Sequence, residues 1–393
     1  MVVTKLIHIT TVPEMLPFFS GQVGYMKDRK LEVEAIASPG KDLDRFGALE
    51  KIRVHGVAMT RRITPLRDLV ALGRLWRRLR LSRPQIVQSH TPKGGLLGMI
   101  SAWLARVPVR IYHIHGLPLM TATGLKRQLL RWTEKVACAL SHQVLCVSNS
   151  VRQVAVAEGL CPAGKVRVLL GGSVNGVDAR EKFNPSAGAE GRANIRSSYG
   201  IPADASVVGF LGRLVRSKGV VELVTAWARL RDELPTLHLL MVGEFEPQDP
   251  VPPEVREVLR TDSRIHLTGW IQDVAPFYAA MDVVVLPSYR EGLPVVPLEA
   301  AAMELPVVAT HIPGCVNAVD DGVTATLVPV RDAKALADAV GMYLRDPELR
   351  RKHGRAGRER VLSKFKQEAI WEALYQEYQR LLEANGVSGH AAP

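Results

Sequence analysis

Residues 282–300 read Asp-Val-Val-Val-Leu-Pro-Ser-Tyr-Arg-Glu-Gly-Leu-Pro-Val-Val-Pro-Leu-Glu-Ala. An apolar run ends in Pro287-Ser288, a short loop carries Glu291 and Gly292, and Pro294 suits the first turn of a helix. The backbone N–H groups of Gly292, Leu293, Val295 and Val296 then point out of the helix start, where an anion such as phosphate is stabilised. Glu291 on the loop and Glu299 about one turn into the helix can face one ligand lying across that start. The plainer alternative makes Glu291 a carboxylate on the helix dipole and Glu299 a solvated side chain. The strand–loop–helix setting favours the ligand.

A second cluster lies in Val207–Gly219. Gly212-Arg213 follows an apolar run at once, and Lys218 comes five residues later. Glycine lets the backbone approach a ligand, arginine grips phosphate in a bidentate fork, and lysine adds a mobile point charge. The G-x-x-x-x-G-K-[ST] pattern is absent, so this is no Walker loop. Alone, both cations could be surface residues. At strand ends shared with the glutamates they form a diphosphate clamp.

Histidines mark a third cluster. One run ends in His113-Ile-His115-Gly116, with both rings on one strand face, and another ends in His90-Thr-Pro-Lys93-Gly-Gly. No Cys or carboxylate stands at metal-ligand spacing, so hydrogen bonding is favoured over zinc. Asp42-Leu-Asp44 is the single D-x-D, placed in a polar loop, and reads as chance.

These residues need strands to aim them. Strand-like runs are Lys5–Thr10, Glu32–Ala37, Arg53–Ala58, Gln85–His90, Val109–His115, Gln143–Ser148 and Val166–Leu170 in the first half. The second half has Ser206–Leu211, Leu237–Val242, Arg264–Leu267, Asp282–Leu286, Pro306–Ala309 and Thr324–Val328. Several are β-branched and apolar on both faces, as a covered parallel sheet requires. Helical patterns alternate with them, so the class is α/β. The expectation is two doubly wound domains facing a cleft, with ligands beyond the strands' carboxyl ends. The domains are expected at 1–182 and 200–364. Residues 183–199, rich in Ala and Gly, read as a linker. An amphipathic helix (365–385) and a disordered tail (386–393) follow.

The 393 residues carry a formal charge of +12, unevenly spread. Residues 1–180 hold 27 Lys+Arg against 11 Asp+Glu, whereas 181–393 hold 24 against 28. Such asymmetry points to an anionic partner for the first half. Within Pro65–Arg83, Leu66, Leu69, Val70, Leu72, Leu75, Trp76 and Leu79 recur at helical spacing, and Arg67, Arg74, Arg77, Arg78 and Arg80 fall largely opposite. This helix either lies on an anionic membrane with arginines near phosphates, or packs on a sheet with a solvated basic face. Aromatic residues are 6% and do not interleave with the basic ones, so nucleic acid is excluded as the partner. Cys138, Cys146, Cys161 and Cys315 form no C-x-x-C pair and read as reduced, mostly buried thiols of a cytosolic protein. The start reads as a strand rather than a signal peptide, and no apolar run reaches the ~18 residues of a membrane span.

Together the motifs resemble glycosyltransferase family 4, retaining enzymes of the GT-B fold, over nearly the whole chain. The resemblance rests on Glu291…Glu299, on Gly212-Arg-Leu-Val-Arg-Ser-Lys-Gly219, on His115-Gly116, on Asn175-Gly-Val-Asp178 and on Gly269-Trp-Ile-Gln-Asp273. The His90 and Glu291 runs look like those of bacterial capsule, O-antigen and exopolysaccharide enzymes. The resemblance implies that Arg213 and Lys218 hold the donor diphosphate and that Gly212 lies against it. It implies that Glu291 binds donor-sugar hydroxyls with backbone groups of Gly292 and Leu293, and that Pro294 and Val295 open the helix at the phosphates. Glu299 would bind the ribose, Ile271 would meet the base through its backbone, and His115 would contact the sugar from the first domain. The helix at 365–385 would return to that domain.

The implied reaction moves a HexNAc or deoxy-HexNAc, with retention, from an NDP-sugar (UDP at family level) to a polyprenyl-diphosphate-linked acceptor. Neither a metal nor another cofactor is expected. Arg74, Arg77, Arg78 and Lys93 are the acceptor or membrane residues of a protein peripheral to the inner face of the plasma membrane. The family usually has a Gly-Gly loop after its first strand; here that stretch is Thr10-Thr-Val-Pro-Glu-Met-Leu-Pro17. The rival readings are an NDP-sugar epimerase, a non-catalytic sugar-nucleotide binder and an α-glucan synthase. The basic first half favours a lipid-linked acceptor over the last.

Overall fold

The computed structural model of the chain describes residues 4–387. Its strands are β1 (Thr4–Ile9), β2 (Leu31–Ala37), β3 (Arg53–Gly56), β4 (Ile86–His90), β5 (Val109–Ile114), β6 (Gln143–Cys146) and β7 (Val166–Arg167), then β8 (Ser206–Leu211), β9 (Leu237–Val242), β10 (Ile265–Leu267), β11 (Val283–Leu286), β12 (Val307–Thr310) and β13 (Ala325–Val328). All six residues of β9 and all four of β11 are buried, as strands covered on both faces must be.

Two units result. The first runs to Gly176 and resumes at Gln367; the second spans Val177–Lys366. The first sheet is parallel in the order β3-β2-β1-β4-β5-β6-β7, the second in the order β10-β9-β8-β11-β12-β13. Each therefore reverses direction once, between β1 and β4 and between β8 and β11. In an open α/β sheet that reversal opens a crevice at the carboxyl ends, where ligands bind. Both units are Rossmann-like.

The helix Gln367–Ala384 belongs to the first unit. Its buried Tyr378 donates to Gln88 on β4, Arg167 and Arg29 pair with its Glu377 and Glu372 at 2.8 and 3.0 Å, and Trp371 Nε1 donates to Asn175 Oδ1 at 2.6 Å.

Two expectations fail. Residues 183–199 are no free linker, because the helix Gly188–Ser198 packs on the second unit. Arg196 is buried there, paired with Asp282 at 3.0 Å and donating to the carbonyls of Ala203, Ala205 and Ala280. The stretch lacks an apolar period because a buried guanidinium holds it. In Pro65–Ser82 the buried face is Ala71, Leu75 and Leu79, while Leu66, Leu69, Val70 and Trp76 stand in solvent. The apolar set spans more of the helix than one sheet contact can cover. Asp42 and Asp44 lie in the helix Lys41–Glu50, not a loop. The four cysteines are free and buried. Of the tail, residues 388–393 lie outside the described residues. Among the described residues no helix is long and apolar enough to cross a membrane.

Candidate functional site

In the second unit the loops after β8, β9, β10 and β11 gather at the carboxyl edge of neighbouring strands. Gly219 is the reason that the loops after β8 and β11 close on each other. It sits at φ +71°, and a Cβ there would lie 2.0 Å from the Pro287 carbonyl oxygen. Tyr289 N then donates to the Ser217 carbonyl at 2.9 Å, tying the loops by their backbones. Across this junction Lys218 Nζ meets Glu291 Oε1 at 2.5 Å. Gly314, at φ +89°, supports the other side, since a Cβ there would fall 2.5 Å from the Gly292 carbonyl oxygen.

Arg213 leaves the end of β8 just past Gly212 and pairs with Glu246 of the loop after β9 at 2.8 Å. Arg290 lies half-buried beside them. Burial, and then the charge of Arg213, push its guanidinium pKa down. Arg213, Lys218 and Arg290 thus concentrate positive charge between β8 and β11. Arg213 is matched by the carboxylate of Glu246 and Lys218 by that of Glu291.

The helix Val295–Ala302 begins at the same edge with Pro294 as its cap, and no side chain bonds its first turn among the described residues. Pro297 has no N–H, so the donors of that turn are Val295, Val296 and Leu298. Glu299 lies on the helix, with Tyr278 donating to its Oε2 at 2.8 Å. Burial holds the Glu299 carboxyl above the usual range, against the opposing hydrogen bond from Tyr278. Gly243 N donates to the Gly269 carbonyl at 3.0 Å, which pins the loop carrying Ile271 at the end of β9. Gly212, Arg213, Lys218, Ile271, Glu291, Gly292, Leu293, Pro294, Val295 and Glu299 therefore share one edge of one sheet. Arg290, Glu246 and Tyr278 were not legible in the linear spacing. The arginine directly before Glu291 was the available signal.

The histidines form a separate cluster in the first unit. His8 Nδ1 lies 3.1 Å from His90 Nε2, and His90 Nδ1 lies 2.8 Å from His115 Nε2. Gln88 Nε2 is 3.1 Å from His113 Nδ1. Ligand nitrogens of His90, His113 and His115 lie within 4.8 Å of one another, the candidate metal group among the described residues. Both nitrogens of His90 are engaged by neighbouring rings, which is a hydrogen-bonded chain. Burial pushes His8 down to about 4 and His115 to about 3, and His90 and His113 well below the ordinary value. All four rings are neutral at pH 7, and His115 is the partly exposed one.

In place of a Gly-Gly loop, β1 runs into Thr10-Thr11 and a 3₁₀ helix, Pro13–Phe19. The Oγ1 atoms of Thr11 and Thr91 lie 2.7 Å apart, and Thr11 Oγ1 accepts from Gly94 N at 2.9 Å. The loop thus serves the start of the helix Pro92–Leu104. Arg74 and Arg77 are exposed. Lys93 and Arg78 are not free cations. Lys93 pairs with Asp68 at 2.8 Å, and Arg78 turns toward His55 and Glu34.

Comparison with known proteins fits this geometry. Residues 17–172 match the family described as glycosyl transferase 4-like domain, and residues 205–346 the family described as glycosyl transferases group 1. The capsular polysaccharide biosynthesis glycosyltransferase CapM of Staphylococcus aureus is 31% identical over 379 residues, covering 96% of this chain and 98% of its own. The chain belongs to the group 1 glycosyltransferases. A second relative of this glycosyltransferase is the UDP-Gal:alpha-D-GlcNAc-diphosphoundecaprenol alpha-1,3-galactosyltransferase of Escherichia coli, 27% identical with 72% of each chain covered. Anabaena Alr3699/HepE, solved with UDP-glucose, superposes with a TM-score of 0.79 at 19% identity, over 96% of this chain and 99% of that one. That likeness is one of fold, and the fold is GT-B.

Proposed function

We propose that this glycosyltransferase moves a sugar from a UDP-sugar, with retention, onto a polyprenyl-diphosphate-linked acceptor in the assembly of a bacterial surface polysaccharide. The observation that carries the reading is the meeting of Arg213, Lys218 and Glu291 at the reversal between β8 and β11. A nucleoside diphosphate laid there exchanges carboxylate partners for phosphate ones. Two relatives support the chemistry of the partners: one is named for capsular polysaccharide, the other for UDP-Gal and a diphosphoundecaprenol acceptor.

Transfer breaks the bond between the anomeric carbon and the diphosphate oxygen and forms one to an acceptor oxygen. Charge develops on the departing diphosphate, and the acceptor's proton passes to it on the same face of the sugar. Arg213, Lys218 and the start of the helix Val295–Ala302 stabilise that charge. They supply what a divalent cation supplies elsewhere, so the reaction is metal-independent. Glu291 orients sugar hydroxyls, Glu299 the ribose and the loop at Ile271 the base. A HexNAc or deoxy-HexNAc donor is the first to try.

The test is a panel of UDP- and GDP-sugars, with nucleotide release read by mass spectrometry, with and without a membrane lipid extract, in EDTA. Release from a UDP-sugar that needs the extract and survives EDTA is expected. Equal release without any acceptor, or loss of release in EDTA, would overturn the reading.

A further inference from the structure

Three helices of the first unit lie side by side: Pro92–Leu104 packs between Pro65–Ser82 and Gly124–Leu140. Their inner residues, Leu75, Leu97 and Ala137 among them, enter one core layer. Their opposite sides therefore form one outer surface. That surface is apolar where a solvated one would be polar. Leu66 is 81% exposed, Trp103 52%, Leu125 89% and Trp132 62%. Leu125, Leu129 and Trp132 fall at i, i+4 and i+7, an unpartnered stripe along the third helix. Isolated exposed leucines need no explanation, but a contiguous apolar face on several helices marks an interaction site.

The charge on this face says what covers it. Residues 51–135 hold 17 basic side chains and two acidic ones. Neither acid is available to the surface: Asp68 is paired with Lys93, and Glu134 is buried against Tyr112. Arg67, Arg74, Arg77 and Lys126 are exposed among the apolar residues. A second copy would bring like charge against like. An anionic bilayer matches both properties at once: its headgroups take the cations and its acyl boundary takes the leucines and tryptophans.

We propose that this three-helix face inserts into the headgroup and acyl boundary of an anionic membrane, led by Leu66, Leu125, Trp103 and Trp132, with the arginines at the phosphates. Docking is then hydrophobic as well as electrostatic, and both sides of Pro65–Ser82 have a use. The proposal deepens the lipid-linked acceptor reading, but the face stands on exposure and charge alone.

The experiment sediments the full chain with vesicles of phosphatidylcholine, alone or with phosphatidylglycerol, and with acyl-brominated versions of each. Binding is expected to the phosphatidylglycerol vesicles, with tryptophan fluorescence quenched by the brominated chains. The Leu125→Ser/Trp132→Ser variant is expected to lower the partition coefficient about tenfold or more. Its thermal midpoint should be unchanged, because both side chains are exposed. Equal partition of this variant, absence of quenching, or concentration-dependent self-association that shields the tryptophans without vesicles would overturn the proposal. UDP binding, measured on the same samples, reports separately on the donor site.

Discussion

Lys218 pairs with Glu291, so a diphosphate that engaged Lys218 would compete with a carboxylate for it. The two residues should therefore respond differently to substitution. Lys218→Ala removes phosphate stabilisation and is expected to lower kcat by about 10²–10³, with the circular dichroism spectrum unchanged. Glu291→Gln frees Lys218, so UDP should bind at least as tightly, while turnover of the UDP-sugar falls because the sugar hydroxyls lose their acceptor. Titration calorimetry beside a turnover assay separates the two. Weakened UDP binding in Glu291→Gln would contradict the assignment. Arg213, Lys218 and the two glutamates were legible because their chemistry is written in residue type and spacing. Arg290 was not, because its place beside Arg213 is a product of the folded loop.

At the scale of elements, apolar patterning located each strand of both sheets. It failed where burial is polar. The helix Gly188–Ser198 is fixed through Arg196 and Asp282, a tertiary pair that local composition does not announce. Asp282→Ala leaves a buried guanidinium without its partner and should destabilise the second unit by about 3–5 kcal/mol, read by denaturant unfolding. A loss below 1 kcal/mol would show that the backbone carbonyls alone hold Arg196. Gly219→Val would force a branched side chain onto the Pro287 carbonyl at a positive φ. It should part the loops of β8 and β11 and abolish UDP binding. The helix Pro65–Ser82 is apolar on two sides and only one meets the sheet, so its spacing alone could not choose between a packed face and a membrane face.

Across the whole molecule the first half carries the positive charge and also the neutral histidine chain. The folded pKa values of His8 and His115, about 4 and about 3, lie below the unfolded value of 6.5. An imidazole with a depressed folded pKa favours the unfolded chain once protons are available. Its penalty is absent above pH 6.5 and grows as pH falls toward 4. For His8 alone this is about 2 kcal/mol at pH 5. His90 and His113 press in the same direction. The thermal midpoint is therefore expected to fall steeply between pH 6.5 and 4. A flat profile over that range would mean that water reaches the rings.

The central claim is that a nucleoside diphosphate binds where β8 and β11 diverge, held by Arg213 and Lys218. Titration of UDP into the wild-type chain and into the Arg213→Ala/Lys218→Ala variant tests it most directly. Two charge-assisted contacts predict a loss of about a hundredfold or more in affinity with the fold intact. Equal affinity in the two proteins would place the donor elsewhere and contradict the account.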